Sequence, residues 1–221
     1  MQHPGLVILV SGRGSNALAI IDAASSGLLP TAVNAVIADR KATALDLAMA
    51  RGVDTAMVPR QAFADRSGFE SALEETIAGY RPGLIALAGF MRVLSADFVD
   101  RHAGRMVNIH PSLLPKYRGL DTHDRALAAG DAEHGASVHW VTPELDAGPV
   151  IAQARVPVHA GDDAQTLAER VLQQEHRLYP AALALLLANP VEAKHEPPFK
   201  NEPPVLDRDF DDAGRRLPSS D

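Results

Sequence analysis

The stretch Leu6-Val7-Ile8-Leu9-Val10-Ser11-Gly12-Arg13-Gly14-Ser15-Asn16 decides the fold. Its first five residues are continuously apolar and rich in β-branched side chains, the pattern of a parallel strand buried on both faces. The next six make a glycine-containing turn, after which Ala-Leu-Ala-Ile-Ile-Asp follows at helical spacing. Working outward, the alternation recurs. Residues 32–38 read as a strand, 42–51 as a helix closed by Gly52, and 55–58 as a short strand. Residues 69–79 read as an amphipathic helix containing Leu73 and Ile77, and 84–88 as another buried strand. This rhythm builds βαβ units, so the expected fold is α/β: a mostly parallel, doubly wound (Rossmann-like) sheet with helices on both faces.

Past Gly89 the pattern changes. Residues 95–102 read as a short helix with Ser95 as N-cap, and 106–109 as a strand that runs into His110-Pro111-Ser112-Leu113-Leu114-Pro115. Residues 122–129 read as a helix. Residues 137–141 and 150–158 alternate in polarity, as expected of a more open, antiparallel strand pair. A long helix spans 164–187, interrupted by Pro180. From Pro190 onward the chain holds six prolines and thirteen charged residues, which predicts a tail without its own core, wrapping or partly disordered. The expected organisation is one catalytic domain, residues 1–190, and a Pro-rich charged tail, 191–221.

Composition narrows the function. The 221 residues carry a net charge of −7, so a generic electrostatic grip on nucleic acid is not expected. There is no cysteine, which excludes disulfides, thiol nucleophiles and thiolate metal sites, and is compatible with a reducing cytoplasm. No apolar run approaches the roughly 18 residues of a membrane span. The N-terminus lacks the basic region of a signal peptide. Nine histidines show no metal-binding spacing, so no metal is expected.

Three constellations could carry chemistry. The first is Gly12-Arg13-Gly14-Ser15-Asn16, where free N–H groups at a helix start attract phosphate; the plain alternative is a helix N-cap by Ser15 or Asn16. A dinucleotide site remains possible, with Gly12, Gly14 and a ribose-binding Asp39 after the second strand. The second is Asn108 and His110, two apart on a strand and therefore on one face. They stand at a carboxyl end, where open sheets bind ligands. An amide donor beside an imidazole suits the oxyanion of acyl transfer and proton movement near neutral pH; the alternative is a pair of satisfied polar residues. The third is Asp146, in a loop marked by Gly148-Pro149. Brought against His110 it favours the protonated ring and fixes its orientation; otherwise it is a solvated turn residue.

Together these residues identify a resemblance. Val10 to Asn16 (VSGRGSN), Leu87 to Leu94 (LAGFMRVL), Asn108 to Tyr117 (NIHPSLLPKY), and His134-Gly135 through Asp146-Ala147-Gly148-Pro149 resemble the phosphoribosylglycinamide (glycinamide ribonucleotide) formyltransferase family, in order over roughly residues 5 to 190. The resemblance implies direct, metal-free transfer of a formyl group from 10-formyltetrahydrofolate to the primary amine of glycinamide ribonucleotide. It implies that Asn108, His110 and Asp146 are catalytic: Asn108 and protonated His110 stabilise the oxyanion, while Asp146 holds His110 charged and relays a proton. It further implies a phosphate cradle of Gly12, Arg13, Gly14, Ser15 and Asn16, with Glu175 on the ribose hydroxyls. The folate pocket it implies comprises Met91, Arg92, Val93 and Leu94, closed by Val141, Thr142, Pro143, Glu144 and Leu145. One departure stands out: Leu172 occupies the position, three residues before Glu175, where a polar or basic side chain is expected on the phosphate.

The implied partners are these two small molecules, with no nucleic acid and no membrane, a cytoplasmic location and a possible homodimer. Local attraction for the anionic substrates is expected from the Gly12–Asn16 backbone, Arg13, Lys116 and Arg118. Alternatives are a formyltetrahydrofolate deformylase, a methionyl-tRNA formyltransferase-like enzyme, or an NAD(P)-dependent oxidoreductase built on Gly12, Gly14 and Asp39.

Overall fold

The computed structural model describes residues 5–188 and 205–206. Its sheet runs β3-β2-β1-β4-β5-β6-β7-β8. The strands are β1 Leu6–Val10, β2 Val33–Ala38, β3 Asp54–Met57, β4 Leu84–Leu87, β5 Met106–His110, β6 Glu133–Trp140, β7 Val150–Pro157 and β8 Val205–Leu206. β3, β2, β1, β4 and β5 are mutually parallel, whereas β6 is antiparallel to both β5 and β7. The helices are α1 Ser15–Ser25, α2 Thr43–Met49, α3 Arg66–Tyr80, α4 Ala96–Arg101, α5 Thr122–Ala129 and α6 Ala164–Ala188.

The continuous apolar runs read from the sequence are explained by two cores. In β1, Leu6, Ile8 and Val10 enter a cluster with α1, α2 and α6, while Val7 and Leu9 enter a second with α3 and α4. A strand with a core on each face cannot alternate with polar residues. The long helix continues through Pro180, which forgoes one backbone hydrogen bond inside an otherwise well-packed element. Fully buried Tyr179 ties α6 to the sheet, its hydroxyl 3.1 Å from the carbonyls of both Leu87 and Val107.

Element boundaries move by a few residues from their expected places, and a 3-10 turn at Arg60–Ala62 was not anticipated. Of the tail, Val205 and Leu206 pair in parallel with Gln153 and Ala154 at the β7 edge; its other residues lie outside those described.

The chain order reverses at β1, with β2 on one side and β4 on the other. The loops leaving these two strands therefore diverge and open a crevice at the sheet's carboxyl edge. The loop leaving β5 joins the same edge.

Candidate active site

The cradle is shaped by Gly14, the N-cap of α1. Its φ of 75° lies in the left-handed region, and a Cβ there would collide with the Cβ of Ala44. No side chain caps α1, so neither Ser15 nor Asn16 is the N-cap that the plain reading offered. The first-turn N–H groups of α1 therefore receive no side-chain cap at the positive end of the helix. Asn16 turns sideways and donates its amide to Glu175 Oε2 at 2.6 Å. Its own Oδ1 is buried without a hydrogen-bond partner among the described residues. Burial pushes the Glu175 carboxyl up, only partly offset by the Asn16 amide.

Asp39 is not a free ribose-binding acid. Its carboxylate, fully buried, accepts from Arg40 at 3.0 Å and from the Arg92 guanidinium. Burial raises its pKa, but Arg40, the Ser11 hydroxyl and Arg92 outweigh this and hold the carboxyl below its ordinary range. With every face of the carboxylate engaged, the dinucleotide alternative loses its acidic residue.

On β5, Asn108 and His110 share a face as expected. His110 is buried; its Nε2 donates to the Tyr117 carbonyl at 2.9 Å, and its Nδ1 stands 3.4 Å from Asp146 Oδ2. Asp146 reaches this position because its backbone adopts φ 48°, because Gly148 packs where a Cβ would strike the Trp140 carbonyl, and because the Gly119 N–H donates to Oδ2 at 2.9 Å. It is a buried carboxylate beside an imidazole, and the solvated-turn reading is set aside.

Asn108 donates its side-chain amide to His139 Nε2 at 3.2 Å. His139 sits directly opposite Asn108 in the antiparallel β5–β6 ladder. Its Nδ1 donates to the Trp140 carbonyl at 2.9 Å, which fixes the tautomer and leaves Nε2 as acceptor. Burial lowers its pKa, against the Trp140 carbonyl and Asp146, 3.7 Å away. His139 is the site residue that sequence reasoning passed over. Its signal was the period of two in Ser137-Val138-His139 facing Asn108-Ile109-His110, readable only once the register is known.

The β5–α5 loop is held from beneath. Ser137 Oγ donates to the Ser112 carbonyl at 2.6 Å and accepts from Leu114 N at 3.0 Å, while Gln153 Nε2 bonds Ser137 Oγ at 2.9 Å and the Leu114 carbonyl at 3.0 Å. These buried bonds support the turn that presents Tyr117 to His110.

The two segments expected around a folate lie on the same core cluster: Phe90 and Leu94 are buried in it, and Val141 packs against it. Between them Met91 and Val93 are 68% and 67% exposed, and Leu145 is also exposed. Arg92, by contrast, turns away to Asp39. Thr142 bonds the Glu144 carbonyl at 3.1 Å, Pro143 is exposed, and Glu144 pairs with Arg118 at 2.8 Å. Lys116 pairs with Asp131 at 2.9 Å. Arg118 and Lys116 spend their charge locally, as Arg40 and Arg92 do on Asp39, while Arg13 of the cradle stands exposed. Among the described residues no cluster of three or more His, Asp or Glu has the arrangement of a metal site; His123 and His134, 3.2 Å apart, are a pair.

This sheet gathers at one edge a glycine turn opening a helix, exposed apolar side chains, and Asn108, His110 and Asp146, a frame shared with group-transfer enzymes of the formyl transferase class. The chain belongs to the formyl transferase family, whose model matches residues 5–183. It is 50% identical to the phosphoribosylglycinamide formyltransferase of Escherichia coli (strain K12) over 81% of this chain and 85% of that protein. Among solved structures it is similar to the phosphoribosylglycinamide formyltransferase of Coxiella burnetii in complex with CHES, with TM-score 0.82 and 43% identity over 98% of this chain and 100% of that one. The corresponding protein of Brucella melitensis gives TM-score 0.81 and 45% identity over 87% and 100%.

Proposed function

We propose that this protein transfers the formyl group of 10-formyltetrahydrofolate to the primary amine of glycinamide ribonucleotide, a step of purine biosynthesis. The observation that carries the mechanism is the buried His110 Nδ1, 3.4 Å from Asp146, on the same strand face as Asn108 and at the same carboxyl edge of the sheet as the cradle. The substrate amine attacks the formyl carbon and forms the new C–N bond. Asn108, through the amide hydrogen that His139 does not take, and the His110 imidazolium stabilise the oxyanion of the tetrahedral intermediate. Asp146 orients the ring and relays the proton from the attacking nitrogen to N10 of the folate, whose bond to carbon breaks. The nucleophile is the substrate's own amine, so no covalent enzyme intermediate is needed.

The residues present suit both substrates. The N–H groups at Gly12 to Asn16, where no side chain caps α1, match a phosphate. Asn16 Oδ1 and Glu175 are acceptors, which match hydroxyl donors of a ribose and not a phosphate oxygen. Met91, Val93 and Leu145 offer apolar surface to a pterin ring, and the backbone of Arg92 and Leu94 offers edge contacts.

Purified protein with both substrates yields deformylated folate and formylated amine in equal amounts. No turnover by folded protein sinks the reading, and formate release without the amine replaces it with a deformylase. To the same reading belong a cytoplasmic location, a homodimer, and a catalytic domain of residues 1–190. A single monomeric species in sedimentation removes the dimer. A chain ending at residue 190 keeps its kcat; if it folds but loses activity, the tail belongs to the catalytic unit.

A further inference from the structure

One carboxylate joins the ends of three strands at the crevice. Asp39 follows β2, and its backbone N–H donates to the Val10 carbonyl of β1 at 3.4 Å. Its side chain, 0% exposed, receives Arg40 from its own loop, Arg92 from the loop after β4, and the Ser11 hydroxyl from the loop after β1. Ser11 extends the connection. Its N–H donates to the Gly89 carbonyl at 3.1 Å, and its Oγ accepts from the Met91 N–H at 2.8 Å. Ser11 begins the cradle, and Met91 and Arg92 begin the folate-side segment, so both halves of the crevice are fastened to the same group.

The chemistry explains why an acid stands there. A carboxylate accepts several charge-assisted hydrogen bonds at once, and two guanidiniums with one hydroxyl saturate it. Arg92 and Arg40 are only partly covered, so without Asp39 both can swing into solvent. The backbone of residues 89–94 would then be held by its bonds to Ser11 and by buried Phe90 and Leu94, with the Met91 and Val93 side chains between them exposed.

We propose that Asp39 is a positioning residue of the formylfolate pocket, holding Arg92 directly and Met91 through Ser11 so that the 91–94 backbone keeps one geometry against the cradle. This inference rests on the formyl-transfer reading. Asp39 touches no reacting atom, so its effect falls on how well the folate is held and less on the chemical step.

The test is a kinetic cycle of D39A, R92A and the double variant, each checked for folding by circular dichroism. D39A raises KM for 10-formyltetrahydrofolate at least about tenfold while kcat falls less than about threefold, as expected when a pre-organised binding geometry is lost. The double variant is no worse than the poorer single one, because both remove the same constraint. D39N, whose amide oxygen can still accept from Arg92 and Ser11, restores KM to within a few-fold. S11A raises the same KM and serves if D39A does not fold. Calorimetric binding of tetrahydrofolate reads the same loss without turnover. An unchanged folate KM and affinity in folded D39A overturns the inference, as do multiplying effects in the double variant. Inactive wild type instead overturns the formyl-transfer reading, so the two failures are distinguishable.

Discussion

Asp39 and Asp146 are both buried aspartates at the same edge of one sheet, yet their surroundings give them different capacities. Asp39 is enclosed by Arg40, Arg92 and Ser11, groups that do not exchange protons near neutral pH, so it is locked as an anion and acts as a fastening. Asp146 faces His110 at 3.4 Å and His139 at 3.7 Å, with one backbone N–H. Imidazoles are the side chains that gain and lose protons in this range. A carboxylate among guanidiniums builds structure, while a carboxylate among imidazoles can take part in a proton relay.

The largest effect that sharpens the contrast is expected at His110. H110A lowers kcat by about 10²–10⁴, the usual scale of a lost proton-transfer group, with little change in substrate affinity. D146N follows on the same scale, whereas D39N retains most of its turnover. Equal losses in D146N and D39N would erase the distinction. Next, H139F leaves Asn108 without the acceptor that aims its amide and costs roughly tenfold or more in kcat, short of the about 10²–10³ lost with an oxyanion donor itself. Steady-state kinetics with both substrates checks each.

Acid stability gives a smaller, separate reading of the histidines. Burial, with His123 beside it, lowers His134 to about 4. Between about pH 6.5 and pH 4 the unfolded chain binds a proton that the folded chain refuses, so stability falls as pH drops through that window, by up to about 3 kcal/mol. H134N flattens the curve there. Asp39 acts lower: its stabilisation is present above the ordinary carboxylate range and disappears as pH falls through its depressed native value, and D39N removes that part. Denaturant midpoints across pH measure both. The smallest effect is expected at Leu172, where L172K lowers KM for the ribonucleotide a few-fold without altering kcat; an unchanged KM means the backbone cradle already suffices.

Much of this was legible in the chain. Five consecutive apolar residues before a glycine turn required a strand buried on both faces, and Ser95 caps α4 as read, accepting from the Phe98 N–H at 3.2 Å. The spacing of Asn108 and His110 required a shared face. What the sequence did not show was side-chain partners: Asp39 closes on Arg40 and Arg92, and Lys116 pairs with Asp131. A charged residue in a sequence does not reveal which opposite charge the tertiary structure will bring to it, because those partners lie 53 positions away for Arg92 and 15 for Lys116.

The sequence by itself determined the α/β class, the glycine turn before α1 and the strand that carries Asn108 and His110, because each rests on local periodicity and on the backbone freedom of a few glycines. Only the tertiary structure decided that Asp146 reaches His110, that His139 stands opposite Asn108, and that Asp39 closes on Arg92. Those contacts depend on strand order and antiparallel register, which long-range packing sets and neighbouring residues cannot encode.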